Sequence, residues 1–221
     1  MAPSIVCPED GWPLVRAATS LDVSLPESMN EPLSRWLDLL VTWNARVDLT
    51  AARSPDELVD LMLADALVLS RYVAKGARVV DIGTGAGAPG LALAIVRPDL
   101  EVTLVEPLAK RRAFLRTVLG TLGLSRVHLD GGKGELVAKL HGHFWNVALA
   151  RATLAPAPWL ALADALCREV DGSAWVFLAK EPNPENPAFE VAEDVAYTWP
   201  LTGAVRRLVR YVRPESARGL G

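Results

Sequence analysis

Residues 79–90 decide the fold, and they read Val-Val-Asp-Ile-Gly-Thr-Gly-Ala-Gly-Ala-Pro-Gly. The stretch begins as a short apolar run typical of a buried strand, and Pro89 marks the start of a helix. The glycines between them let the backbone turn tightly and let a ligand approach the main chain. In open α/β sheets, such a loop lies outside the carboxyl ends of the strands, where ligands bind. The stretch therefore predicts a ligand-binding unit of strand, loop and helix.

The sequence downstream repeats this alternation of strand and helix. The β-rich runs are Arg78–Ile82, Glu101–Glu106, Arg126–Asp130, Asn146–Ala150 and Ser173–Leu178. Runs that alternate with helix-length stretches predict a parallel sheet with helices on both faces. The last two runs, Val191–Trp199 and Val205–Val212, leave no room for a helix between them, so they predict an antiparallel hairpin. This order is expected of the Rossmann-like, seven-stranded α/β sheet of class I S-adenosylmethionine-dependent methyltransferases.

The region before the sheet has a different pattern. Apolar residues between Pro32 and Tyr72 recur at helical spacing, and turn signals interrupt them over residues 44–55. Residues 1–31 contain several prolines and little periodicity. We therefore predict a loose N-terminal arm over residues 1–31, a helical cap over 32–75 and an S-adenosylmethionine-binding methyltransferase domain over 76–221.

Composition excludes several classes of protein. The length of 221 residues suits one α/β domain, and a hydrophobic fraction of one half indicates a globular chain. The formal net charge of −3 is not typical of a freestanding nucleic-acid binder. Its two cysteines, Cys7 and Cys167, are too far apart in sequence to predict a disulfide framework. The three histidines lack partners at metal-ligand spacing, so no metal site is predicted. Without a signal peptide or a long apolar run, the chain is expected to be cytoplasmic, with no membrane partner.

The ligand of the glycine loop has two candidate identities. Residues 85–90 match the G-x-G-x-x-G of dinucleotide-binding folds, so NAD is one of them. Asp81 at the strand end favours S-adenosylmethionine, because a carboxylate suits its cationic amino-acid end and would be badly placed beside a pyrophosphate. The chain is also too short for a separate dehydrogenase substrate domain. Glu106 ends the second strand, where it is either a solvated strand end or an acceptor for both ribose hydroxyls.

Basic residues form two sets. Lys110, Arg111, Arg112, Arg116 and Arg126 lie within a stretch that contains no acid, and Arg206, Arg207, Arg210 and Arg213 form the second set. Each residue alone is typical of a solvated helix face or of a charged edge strand. As sets, they indicate phosphate contacts. The candidate RNA-binding residues are Lys110, Arg111, Arg112, Arg206 and Arg207.

Several motifs occur in the order of one known family. Residues 39–50 resemble its L-L-x-x-W-N…N-L-T, residues 81–90 its D-x-G-[ST]-G-x-G-x-P-G, and residues 106–115 its E-x-x-x-K-R-x-x-F-L. Residues 65–67 resemble its H-x-x-D-S-L, although Met62 and Ala66 replace the histidine and the serine. The chain thus resembles the RsmG (GidB) family of bacterial ribosomal-RNA guanine-N7 methyltransferases from about residue 33 to residue 213.

The resemblance implies methylation of guanine N7 in small-subunit (16S) ribosomal RNA, with ribosomal RNA or the small subunit as partner. It implies that Glu106 holds the ribose of S-adenosyl-L-methionine and that Arg151 lies at the mouth of the active site, in a positioning role. The candidate cofactor-binding residues are Asp81, Gly83, Gly85, Gly87, Ala88, Glu106, Gly134, Glu135 and Arg151. The alternatives are a methyltransferase of another RNA, a protein or a small molecule, and a non-catalytic module that binds S-adenosylmethionine or RNA.

Overall fold

The computed structural model describes residues 5–214 and centres on a seven-stranded sheet with the order β3-β2-β1-β4-β5-β7-β6. The strands are β1 (Arg78–Ile82), β2 (Glu101–Val105), β3 (Val127–Asp130), β4 (Val147–Ala150), β5 (Ser173–Leu178), β6 (Glu190–Thr198) and β7 (Val205–Val212). Strands β1 to β5 pair in parallel, while β7 pairs antiparallel with both β5 and β6. The predicted parallel sheet and its terminal hairpin are confirmed.

Helices cover both faces of the sheet. They are α1 (Leu14–Ser20), α2 (Asn30–Asn44), α3 (Pro55–Val59), α4 (Asp65–Leu69), α5 (Gly90–Val96), α6 (Ala109–Leu122), α7 (Gly134–Leu140) and α8 (Pro156–Leu166). A π-helical turn over Asp60–Ala64 joins α3 to α4, so residues 55–69 form one segment, called here the cap helix. This segment begins where Pro55 follows Ser54, whose side chain accepts a hydrogen bond from the Glu57 N–H at 3.1 Å.

The sheet separates two apolar layers because successive residues of a strand point to opposite faces. In β1, Val79 faces the layer formed by α2, the cap helix, α5 and α6, whereas Val80 and Ile82 face α7 and α8. Residues 79–82 are all buried, which explains why apolar residues occupy both faces of the strand and why the charged Asp81 must be hydrogen-bonded inside the protein. The α2 and cap-helix residues share one core with the sheet.

The prediction of a loose N-terminal arm is wrong for residues 5–31, and residues 1–4 of that prediction lie outside the described part of the chain. Trp12, Leu14 and Ala17 are buried in the same core as α2. The indole N–H of Trp12 donates a hydrogen bond to the carboxylate of Asp38 at 2.9 Å. Pro13 directly precedes α1, and Pro26 directly precedes a 3₁₀ turn over Glu27–Met29, so neither proline interrupts a helix.

Substitution of two glycines tests the packing between β1 and the start of α5: Gly90 lies at that contact, and Gly120 in α6 is the comparison. A Cβ atom on Gly90 would lie 2.6 Å from the Cβ of Asp81, whereas one on Gly120 in α6 would meet no atom within 4 Å. We expect Gly90→Ala to lower the free energy of unfolding by about 1–3 kcal/mol through overpacking. Gly120→Ala should raise it by about 0.4–1 kcal/mol, because alanine restricts the unfolded chain. Urea unfolding measures both, and equal effects would contradict this packing.

Candidate functional site

The glycine loop lies at the carboxyl end of β1. The N–H groups of Gly83 and Thr84 donate to the carbonyl of Val105 at 2.8 and 3.1 Å, which ties the loop to β2. Gly83, Gly85 and Gly87 have φ values of 71°, 62° and 107°, a left-handed region that side chains rarely adopt. The loop therefore requires glycine for its backbone conformation.

Asp81 organises this loop from inside the protein. Its Oδ2 accepts hydrogen bonds from the Thr84 hydroxyl at 2.7 Å and from the Gly90 N–H at 2.9 Å. The side chain is buried, and Oδ1 has no hydrogen-bond partner. Burial raises the pKa of the Asp81 carboxyl above its ordinary value, and the bonds from Thr84 and Gly90 oppose that shift. The structure thus adds a loop-ordering role that sequence reasoning missed, and it leaves one acceptor atom unused.

Glu106 is also buried and bonds to the same loop. Its Oε2 accepts a hydrogen bond from the Gly85 N–H at 3.0 Å, and its Oε1 accepts one from the Leu108 N–H at 2.8 Å. The alternative of a solvated strand end is therefore wrong, because only 2% of the residue is exposed. A carboxylate offers about four acceptor positions, so two remain for other donors.

The loop after α2 approaches the glycine loop from the cap. The Oδ1 of Asn44 accepts hydrogen bonds from the N–H groups of Leu49 and Thr50 at 2.9 and 3.0 Å. The indole N–H of Trp36 donates to the carbonyl of Ala86 at 3.2 Å. The Trp-Asn…Leu-Thr motif of the sequence thus folds one compact loop, and its Leu49 and Thr50 line a cleft together with the glycine loop.

A cleft of about 280 Å³ lies between these loops and is called here the glycine-loop cleft. Its lining includes residues 49–51, Met62, Gly83, Gly85, Ala88, Arg111, Arg151 and Thr153. It thus brings together four of the predicted cofactor residues. The other predicted cofactor residues do not line this cleft: Asp81, Gly87, Glu106, Gly134 and Glu135. The last two begin α7, where a Cβ atom on Gly134 would lie 2.9 Å from the Ile82 side chain.

A second cleft of about 380 Å³, called here the hairpin cleft, adjoins the first. It includes Asp65, Phe177, Glu181, Trp199 and Arg206 in its lining. The two clefts share Leu61, Arg151 and Ala152 as a common wall. Ala152 has a φ of 56°, which costs an ordinary residue roughly 1–2 kcal/mol and sets the backbone between Arg151 and Thr153.

Arg151 is held by the cap helix. Its Nη1 donates to the carbonyl of Leu61 at 2.6 Å and to Oδ2 of Asp65 at 3.0 Å. The Oδ1 of Asp65 in turn accepts from the Tyr197 hydroxyl at 2.7 Å and from the Trp199 indole N–H at 2.8 Å. Sequence reasoning did not find this network, because its members lie on α4, after β4 and on the hairpin, with no local pattern to connect them.

The predicted RNA-binding residues differ in what they contact. Lys110 is exposed at the start of α6, and Arg111 lines the glycine-loop cleft. Arg112 folds back and donates to the carbonyl of Glu106 at 3.0 Å. Arg206 stacks over Trp199 at 3.9 Å, whereas Arg207 forms an ion pair with Asp194. Neighbours on a strand point to opposite faces, so Arg206 and Arg207 extend from opposite faces of β7.

Within residues 5–214, no three His, Cys, Asp or Glu side chains lie where they could hold a metal ion. Over the same residues, no helix is both long enough and apolar enough to cross a membrane. Both cysteines are free thiols, and burial raises the pKa of Cys167 to about 12.

Comparison with known proteins identifies relatives over most of the chain. The model of the GidB family, described as rRNA small subunit methyltransferase G, matches residues 29–165. A protein named ribosomal RNA small subunit methyltransferase G from Xanthomonas axonopodis pv. citri is 42% identical over 132 residues, which span 60% of this chain and 62% of that protein. One of the same name from Myxococcus xanthus is 32% identical over 208 residues, covering 90% of this chain and 95% of the relative.

Solved structures are similar in fold. An S-adenosylmethionine-dependent methyltransferase from Aquifex aeolicus superposes with a TM-score of 0.52 at 15% identity, covering 70% of this chain and 92% of that one. A mutant of MtNAS, solved in complex with S-adenosylmethionine, has a TM-score of 0.52 at 16% identity and covers 90% of this chain and 70% of its own. These likenesses confirm the class I fold.

The predicted role of Glu106 can be tested directly. We expect Glu106→Ala to weaken the binding of S-adenosylhomocysteine by about 1.5–3 kcal/mol, the value of hydrogen bonds to a charged group. Glu101→Ala, at the opposite end of the same strand, is the control and should leave affinity unchanged. Isothermal titration calorimetry measures both, and an unchanged dissociation constant for Glu106→Ala would show that its carboxylate serves the loop alone.

Proposed function

Because the chain belongs to the rRNA small subunit methyltransferase G family, we propose that it transfers a methyl group from S-adenosylmethionine to N7 of a guanine in small-subunit ribosomal RNA. The observation that carries the proposal is the glycine-loop cleft, where the loop, Arg111 and Arg151 meet at the carboxyl ends of the strands. Action on ribosomal RNA also implies a cytoplasmic protein, because that is where the small subunit lies.

Three features of the glycine loop and of the two carboxylates bonded to it favour S-adenosylmethionine as the ligand. The unpartnered Oδ1 of Asp81 is an acceptor that suits the ammonium group of the amino-acid end. Glu106 keeps two acceptor positions, which suit the two ribose hydroxyls. A Cβ atom on Gly85 would meet no atom closer than 4.0 Å, so the main chain is open to a ligand there. Gly134 and Glu135 are proposed to border the adenine.

When bound, S-adenosylmethionine supplies an electrophilic methyl group on a positively charged sulfur. Guanine N7 carries an in-plane lone pair and no proton at neutral pH, so the chain has no proton to remove from the nucleophile. The work of its residues is therefore alignment, which is worth up to about 7–11 kcal/mol when reactants are held in near-attack geometry. Asp65 neutralises Arg151 at the cleft wall, so this arginine does not oppose the positive charge that develops on the purine.

A methyl-transfer assay tests the proposal. Purified small ribosomal subunits should accept tritiated methyl groups, and the labelled nucleoside should be 7-methylguanosine. Because no general base is needed, we expect the single-turnover rate to stay nearly flat between about pH 6.5 and 9. Arg151→Ala should lower that rate about 100-fold, as misplacement of a reactant does, with the pH profile unchanged.

The alternatives give different results in the same experiment. Label in ribosomal protein, or in a small-molecule pool, would identify another class of methyl acceptor. S-adenosylhomocysteine binding without any transfer would indicate a non-catalytic module. A rate that rises steeply with pH would point to a protonated nucleophile such as an amine, and would contradict methylation at N7.

The exposed basic residues of α6 are proposed to contact phosphates of the RNA. Lys110 and Arg116 are exposed and lie away from the hydrogen bonds that hold the glycine loop, unlike Arg112. We expect Lys110→Ala with Arg116→Ala to reduce the slope of log affinity against log salt by roughly two phosphate contacts. The control, Lys75→Ala with Lys139→Ala, removes the same charge from residues placed away from this helix. Equal slopes in filter-binding assays would assign the RNA path to another surface.

A further inference from the structure

Asp65 bonds both to the hairpin and to Arg151, whereas the hairpin turn is also held by another carboxylate. Asp65 is 2% exposed, and its two oxygens accept from groups of three different elements: Arg151 after β4, Tyr197 in β6 and Trp199 in the turn that follows. A second carboxylate of the cap helix, Asp60, already holds the same turn. It accepts from the N–H of Leu201 at 3.1 Å and from both the N–H and the hydroxyl of Thr202 at 2.8 Å.

The guanidinium of Arg151 is only partly used by the protein. Arginine carries five N–H donors, and across residues 5–214 its hydrogen bonds are made through Nη1 alone, to Leu61 and Asp65. The donors on Nε and Nη2 are therefore available at the wall that the glycine-loop cleft and the hairpin cleft share. An acceptor that reaches this wall meets an arginine whose orientation is already set.

We propose that Asp65, itself held by Tyr197 and Trp199, is a positioning residue that orients the guanidinium of Arg151 toward the methyl acceptor. This inference rests on the proposed function, which supplies the methyl acceptor that Arg151 would face. A buried carboxylate that is fully hydrogen-bonded restricts an arginine more than a solvated one does, because the pair cannot exchange its partners for water. Burial, together with the charge of Asp65, raises the pKa of the Tyr197 hydroxyl, so Tyr197 stays protonated and keeps donating.

Two matched variants separate positioning from anchoring. Asp65→Asn keeps the shape of the side chain but removes the charge that pairs with Arg151. Asp60→Asn makes the same change in the same helix, at a carboxylate that holds the hairpin turn without contacting Arg151. Tyr197→Phe is a milder variant that removes one donor to Asp65 and leaves all charges in place.

The activity measurement is the single-turnover methylation rate at saturating S-adenosylmethionine. We expect Asp65→Asn to lower it about 100-fold, as expected when a reacting group is misplaced. Tyr197→Phe should lower it about 3- to 10-fold, the equivalent of one hydrogen bond. Asp60→Asn should leave it within twofold of the original chain, and the dissociation constant of S-adenosylhomocysteine should change little in all three variants.

A nuclear magnetic resonance measurement does not depend on activity. In ¹⁵N-arginine-labelled protein, the Nη signals of Arg151 should be resolved in the original chain and in Asp60→Asn, because the ion pair slows rotation of the guanidinium. They should merge in Asp65→Asn, and Arg151→Lys assigns them by their disappearance. Equal rate losses in Asp65→Asn and Asp60→Asn, or resolved Nη signals in Asp65→Asn, would overturn the proposal. If the original chain methylates no RNA, the proposed function fails, and the resonance data still decide whether Asp65 orients Arg151.

Discussion

The hydrogen bonds of Asp81 are the constraint on which the site depends. One buried oxygen accepts from Thr84 inside the glycine loop and from Gly90 at the start of α5, so it closes the loop onto its own strand. Because Gly90 has no side chain, α5 can begin directly over Asp81. Glu106 then bonds to Gly85 from the neighbouring strand, which fixes the same loop from its other side. Asp81 in β1 and Glu106 directly after β2 thus hold a loop whose glycines adopt backbone conformations that other residues rarely adopt.

Two further carboxylates, on the cap helix, join the cap to the hairpin. Asp60 and Asp65 reach hairpin residues that follow them by more than 130 positions, as in the bond between Tyr197 and Asp65. A buried charge must be matched by donors, so such bonds restrict which surface of the hairpin can meet the cap. The cap, β4 and the hairpin therefore meet at Arg151, although no two of them are adjacent in sequence.

Charge on this protein is organised locally rather than overall. The chain is acidic, yet Arg111 and Arg151 both line the glycine-loop cleft. Other arginines of the same sequence clusters support the structure instead: Arg112 bonds to the backbone that follows β2, and Arg207 pairs with Asp194. Arginines that are close together in sequence therefore need not lie on the same surface, because successive side chains of a helix or a strand point in different directions.

The sequence by itself determined the sheet, the hairpin and the glycine loop, because these follow from local periodicity and from backbone conformations that need glycine. It also indicated Glu106 and Arg151 through motif order. Only the tertiary structure decided that residues 5–31 pack into the core, that Asp81 orders the loop, and that Asp65, Tyr197 and Trp199 hold Arg151. Those contacts join segments far apart in the chain, and their geometry depends on how strands and helices are stacked. A pattern confined to neighbouring residues cannot encode that arrangement.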